Sequence, residues 1–156
     1  MRRTKNLLLW PRSFITLSVA KFPQPESVGH REWGTEELLV HAPRLYTLKR
    51  IFMRKGHKGG LQFHRMKDEC GVMIEGAMKV TYDEGDGALG ERICRTGDVF
   101  HFPAGSVHQA EALVDCVYIE ASNPVFNDRV HVEHLYGRDA EDGGLPSTKP
   151  WEIELR

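Results

Sequence analysis

Between residues 38 and 121 the chain alternates short apolar runs with turns marked by glycine and proline. Residues 45–53, LYTLKRIFM, place Tyr46, Leu48, Arg50 and Phe52 on one face of an extended chain. Leu45, Thr47, Lys49, Ile51 and Met53 fall on the other, because successive strand side chains point to opposite faces. Both faces mix apolar and polar residues, which suits a barrel strand better than a helix. The same reading predicts strands over 38–40, 71–74, 77–82, 91–95, 99–102, 107–111 and 116–121. Ala42-Pro43, Glu75-Gly76, the segment 83–90 (DEGDGALG), Thr96-Gly97-Asp98 and Pro103-Ala104-Gly105 supply the turns between them. Short strands with turns at about eight- to twelve-residue spacing predict an all-β barrel or sandwich.

Outside this block the pattern weakens. Residues 21–37, KFPQPESVGHREWGTEE, read as an extended arm, and the polar stretch from Asn127 as a short helix followed by a tail. The resulting division is an N-terminal extension over 1–30, a β-barrel over 31–138 and a C-terminal tail over 139–156. Arg2, Arg3 and Lys5 ahead of an apolar run at 7–10, with Ser18-Val19-Ala20 beyond, sketch a signal peptide. Pro11 and Arg12 cut that run after four residues, so an arm or edge strand is the favoured reading. No stretch is long and apolar enough to span a membrane.

Composition narrows the function classes. At 156 residues the chain suits one domain with a real core. A net charge of −1 with well-mixed charges lacks the basic excess of a nucleic-acid binder. Cys70, Cys94 and Cys116 are odd in number and show no metal-binding spacing, so they are expected to be reduced and buried in a cytoplasmic protein.

The candidate chemistry lies in residues 56–76, GHKGGLQFHRMKDECGVMIEG. Gln62 and His64 are two apart and share one face of an extended strand, while Glu69 follows a short polar connection at the start of the next apolar run. One hairpin can thus aim an amide oxygen, an imidazole nitrogen and a carboxylate at a single point, or merely face water. Downstream, Gly97 precedes Pro103 by six positions, Gly105 follows two later and His108 three after that. Pairing this second hairpin with the first completes four ligands: Gln62, His64, Glu69 and His108.

These two stretches resemble the two motifs of the cupin superfamily, G-x5-H-x-H-x4-E-x6-G and G-x5-P-x-G-x2-H-x3-N. Gly56, His64, Glu69, Gly76, Gly97, Pro103, Gly105 and His108 fall on motif positions, whereas Gln62 replaces the first His and Ala112 the final Asn. The resemblance implies a single-domain double-stranded β-helix, or jelly-roll barrel, holding one divalent metal. With mixed N and O ligands that metal is zinc, iron(II), manganese, nickel or cobalt. Gln62-x-His64, with patches around Arg31-x-Trp33-Gly34, Lys49-Arg50-Ile51 and Arg129 to Arg138, is similar to the cupin domain of type II mannose-6-phosphate isomerases. Lys67, Cys70 and Gly71 stand where that family keeps Arg, His and Trp.

That resemblance implies a metal-dependent sugar or sugar-phosphate isomerase or epimerase. A cupin dioxygenase using iron(II) or nickel and a non-catalytic sugar-binding or regulatory cupin are the alternatives. Isomerisation needs a base, for which Lys67, Glu111 and His101 are candidates by position. A phosphate or carboxylate on the substrate needs cations, and Arg50, Arg54, Lys58 and Arg65 crowd the same end of the barrel. The expected partner is a small molecule, a sugar or sugar phosphate, with no nucleic acid and no membrane. Exposed barrel edges and the N-terminal arm point to a homodimer formed by strand exchange.

Overall fold

Two antiparallel sheets, with a small third, account for nearly all regular structure in the computed structural model, which describes residues 19–140 and 146–156. The strands are β1 (Glu26–Arg31), β2 (Gly34–Ala42), β3 (Tyr46–Met53), β4 (Gln62–Phe63), β5 (Glu69–Glu75), β6 (Ala77–Asp83) and β7 (Leu89–Arg95). They continue as β8 (Val99–Phe102), β9 (His108–Ala112), β10 (Cys116–Ser122), β11 (Val125–Phe126), β12 (Val130–His131) and β13 (Glu154–Leu155). One sheet runs β1-β2-β3-β10-β5-β8, the second β12-β4-β9-β6-β7, and β11 pairs with β13. This is the all-β architecture expected from the alternating pattern, in the jelly-roll form that the cupin resemblance implies.

Strand alternation decides what the interior contains. On β3 the inward set is Thr47, Lys49, Ile51 and Met53. Across the sheet these residues lie opposite Ser122, Glu120, Tyr118 and Cys116 of β10. The interior therefore changes character along a single strand. Ile51, Met53, Met73, Met78, Val80, Cys94, Ala112 and Cys116 form an apolar core at one end. Thr47, Lys49, Glu120 and Ser122 carry polar groups toward the other, where Thr47 and Ser122 share a 2.8 Å hydrogen bond. The apolar end supplies most of the hydrophobic stabilisation, at roughly 25 cal/mol for each Å² buried. The polar end is left for a site.

Several details differ from the sequence reading. β2 is nine residues long, not three, and part of the stretch read as an arm forms β1 against it. The polar alternation of that hairpin hides its strand character, and an edge position tolerates it because one face stays wet. Cys94 and Cys116 are buried, but Cys70 is exposed: its neighbour Glu69 points inward, so alternation turns the thiol out. The helix expected after Asn127 is a single 3₁₀ turn, Glu133–Tyr136, ended by Gly137 in the left-handed region. The signal-peptide or arm reading of residues 1–18 lies outside the described residues. Among the described residues no helix is long and apolar enough to cross a membrane.

Gly76 turns the chain between β5 and β6 at φ +81°, and a Cβ there would sit 2.2 Å from the Asp115 carbonyl oxygen. Gly76→Ala should therefore lower stability by at least about 1–3 kcal/mol, read as a lower urea midpoint. Gly59→Ala, where an added Cβ meets nothing within 4 Å, should leave the midpoint in place.

Candidate metal centre

Three side chains converge at the polar end of the interior. Glu69 opens β5, His64 directly follows β4, and His108 opens β9. Each residue is only 6% exposed. His108 Nε2 lies 3.2 Å and His64 Nε2 3.6 Å from the same oxygen, Glu69 Oε1. The two imidazole rings are 5.5 Å apart, and Phe102 stacks flat on His108 at 4.2 Å. Backbone pairing sets this arrangement. Gln62 lies opposite His108 in the β4–β9 register. The Gly105 N–H donates to the His64 carbonyl at 2.7 Å, joining the two glycine-marked hairpins.

The outer nitrogens explain what the inner ones can do. His64 Nδ1 donates to the Asp128 carbonyl, and His108 Nδ1 donates to the Ser106 carbonyl at 3.0 Å. A carbonyl only accepts, so both protons sit on Nδ1 in the neutral rings and the Nε2 lone pairs face inward. Two lone pairs and a carboxylate oxygen then point at one another, a convergence that a cation satisfies. Their candidate ligand atoms all lie within 4.8 Å of one another. Neutral imidazoles oriented by carbonyls, plus one carboxylate, make a donor set suited to a divalent ion. Gln62 lines the same cavity and is the fourth candidate ligand.

Electrostatics around Glu69 are tightly balanced. Burial opposes its charge, but the adjacent Lys67 ammonium holds the carboxyl well below the usual range. Lys67 Nζ donates to Glu69 Oε2 and, at 2.7 Å, to Glu120 Oε1. Burial alone would discharge Lys67; Glu120 and Glu69 outweigh it and raise its pKa. Burial, then the carboxylates of Glu120, Glu69 and Glu36, push the Tyr118 phenol well above its ordinary value.

Asp128 braces the loop between His64 and Glu69. Its side chain is fully buried, and Oδ2 accepts from the Met66 N–H at 2.7 Å and the Lys67 N–H at 3.1 Å. Burial would raise its pKa, but these backbone donors keep the carboxyl below the ordinary value. Sequence spacing did not single out Asp128, Glu120 or Tyr118. The period-2 alternation of Tyr118 with Glu120 was the one available signal.

These groups border a cavity of about 450 Å³ that takes in Gln62, His64, Lys67, Glu69 and His108. The other candidates stand outside its lining. Arg50 is ion-paired with Glu37 at 2.6 Å, and Arg54 donates to the Glu32 carbonyl. Lys58 forms a β-bridge with Glu111, and Arg65 lies 3.6 Å from Asp128 Oδ1. His101 is exposed and bonded to Asp68 at 2.9 Å, and Glu111 pairs with Lys79 at 3.1 Å. Alternation accounts for three of these placements. Arg50, His101 and Glu111 each sit between two neighbours that face inward: Lys49 and Ile51, Phe100 and Phe102, Ala110 and Ala112.

Residues 50–121, which include His64, Glu69 and His108, match the family model described as the cupin domain, and those three side chains form a centre suited to a divalent metal. Solved structures show the same fold. Oxalate decarboxylase from Bacillus subtilis superposes with a TM-score of 0.64 at 18% identity, covering 79% of this chain and 35% of its own. The capsular polysaccharide assembling protein CapF from Staphylococcus aureus gives 0.57 at 18% identity, over 65% of this chain and 28% of its own. KdgF from Halomonas sp. gives 0.54 at 24% identity, over 64% of this chain and 87% of its own. The chain thus spans about a third of the first two proteins and most of the third. No curated protein matches the sequence significantly.

Asp128→Ala strips the acceptor from two backbone N–H groups and should cost about 1–3 kcal/mol. Loosening the His64–Glu69 loop should also weaken divalent-metal affinity about 10–100-fold, measured by calorimetry with zinc or manganese. His64→Ala should abolish stoichiometric metal. An Asp128→Ala protein that binds metal as tightly as the unmodified chain would remove the bracing role.

Proposed function

We propose that this protein is a metal-dependent cupin enzyme acting on a sugar or sugar phosphate by isomerisation or epimerisation. The observation that carries the reading is the convergence of His64 Nε2, His108 Nε2 and Glu69 Oε1 at the wall of a cavity of about 450 Å³. That volume suits a small polar molecule. His64, Glu69, His108 and Gln62 would hold the ion. When bound, a divalent metal supplies Lewis-acid polarisation of a substrate carbonyl or hydroxyl oxygen.

The protein's own groups would do the rest. Lys67 is the one proposed catalytic residue that lines the cavity; His101 and Glu111 do not. Held charged between Glu69 and Glu120, its ammonium can donate a hydrogen bond to a substrate oxygen, while the Glu120 carboxylate beside it offers a base. Phe100 and Phe102, stacked 5.1 Å apart along the wall, give a sugar ring an apolar face and exclude water. Similarity to type II mannose-6-phosphate isomerases at Gln62-x-His64 favours an aldose–ketose reaction. A cytoplasmic homodimer belongs to the same reading.

Metal analysis of the purified protein, followed by a sugar-phosphate screen with and without oxygen, tests it. One equivalent of divalent metal and oxygen-independent conversion of mannose 6-phosphate to fructose 6-phosphate are expected, with kcat falling at least about 100-fold in Glu120→Gln. Substrate-dependent oxygen uptake would instead identify a dioxygenase. Metal and sugar binding without turnover would identify a binding module.

A further inference from the structure

Among the described residues, five cationic side chains line the cavity: Arg31, Lys49, Lys67, Arg129 and Arg156. Three of them have carboxylate partners. Lys49 pairs with Glu36 at 2.7 Å, Lys67 with Glu69 and Glu120, and Arg156 with Glu154. Arg31 and Arg129 form no side-chain hydrogen bond or ion pair with any described residue, although Arg31 stands near Glu36. Both are half-buried. A half-buried guanidinium is a rigid fork of donors matched to carboxylate and phosphate oxygens.

Arg129 is placed with some care by its neighbours. The preceding residue, Asp128, holds His64 through its carbonyl and the 65–67 loop through its carboxylate. The Arg129 carbonyl accepts from the Thr148 N–H at 2.8 Å, and the next residue enters β12 opposite Phe63. Its backbone is thus fixed on both sides, one residue from the group that orients a metal-site imidazole. Arg31 ends β1, the edge strand of the other large sheet. Arg31 thus lines the cavity from the edge strand of one large sheet and Arg129 from the residue just before the edge strand of the other. Glu26, also on β1, lines the cavity but is exposed.

We propose that Arg129, assisted by Arg31, forms an anion subsite, so that the cavity takes an acidic polyhydroxylated molecule. Its carboxylate or phosphate lies at the arginines while a hydroxyl or carbonyl oxygen reaches the His64–Glu69–His108 centre. The orientation rests on the metal-centred reading above; the anion preference does not require turnover.

Calorimetry on the metal-loaded protein with glucose, glucuronate and glucose 6-phosphate tests the subsite. At least one anionic sugar should bind more than about tenfold tighter than glucose, since hydrogen bonds to a charged group are the stronger kind. The two anionic arms separate a carboxylate from a phosphate. Arg129→Gln should erase the preference and Arg31→Gln weaken it, with metal content and melting temperature unchanged. Arg129→Lys, which keeps the charge and loses the fork, should restore part of it. Equal binding of glucose and both anions, or a preference that survives in Arg129→Gln, overturns the proposal. Preferential anion binding in a protein that takes up no metal would support the subsite and sink the metal-centred reading alone.

Discussion

Burying the Glu69 carboxylate would cost several kcal/mol if it stood alone, and much of the surrounding structure answers that cost. One oxygen faces two imidazole lone pairs, a set that a shared cation would reconcile, and the other faces the Lys67 ammonium. Lys67 is itself buried, so it needs a second carboxylate, and Glu120 provides it from β10, 53 residues away in the chain. Lys49 lies opposite Glu120 and pairs with Glu36 on β2. Charges thus alternate in sign from Glu36 on β2 through Lys49 on β3 and Glu120 on β10 to Lys67 in the loop before β5, ending at Glu69 in the candidate metal centre. Low dielectric strengthens each link, and it makes a missing partner costly.

The row of charges exists because β3 and β10 carry polar residues inward at one end and apolar residues at the other. Met53 opposite Cys116, and Ile51 opposite Tyr118, fix the register. Register then carries Lys49 and Glu120 inward with no freedom left, since a slip by one residue would exchange the faces of the whole strand. The apolar core is therefore a condition for the site as well as for stability. A change that loosened the Met53–Met73–Met78 packing would disturb charges well away from it.

Much of this was legible in the sequence, and the boundary is physical. The candidate ligands His64, Glu69 and His108 were legible because tight turns at Gly76, Gly97 and Gly105 constrain short segments, and short segments keep spacing and geometry tied together. Asp128 was not, because it meets His64 across 64 residues through a backbone carbonyl, for which side-chain identity carries no signal. The proposed anion-binding residues show the other limit. Arg50, Arg54, Lys58 and Arg65 are close to the ligands in sequence, yet none lines the cavity. Arg31 and Arg129 come from sheet edges, and only long-range pairing brings them there. β1 was read as an arm because its polar alternation resembles that of a loop until β2 is placed beside it.

The same balance bears on how the centre would treat a substrate. Imidazole and carboxamide ligands are neutral, so Glu69 is the one anionic donor in the proposed set. Lys67 already draws on its second oxygen, which weakens the charge Glu69 can lend to an ion. A divalent metal held there would keep more of its positive character than one bound by an unshared carboxylate, and polarisation of a substrate oxygen depends on that remainder. Glu120 balances Lys67, so the ammonium contributes a directed hydrogen bond more than a net charge. An acidic group on the substrate would then be drawn to the bound ion unless another cation held it. Two arginines at the sheet edges can keep it away from the centre, leaving a neutral oxygen as the group that meets the metal.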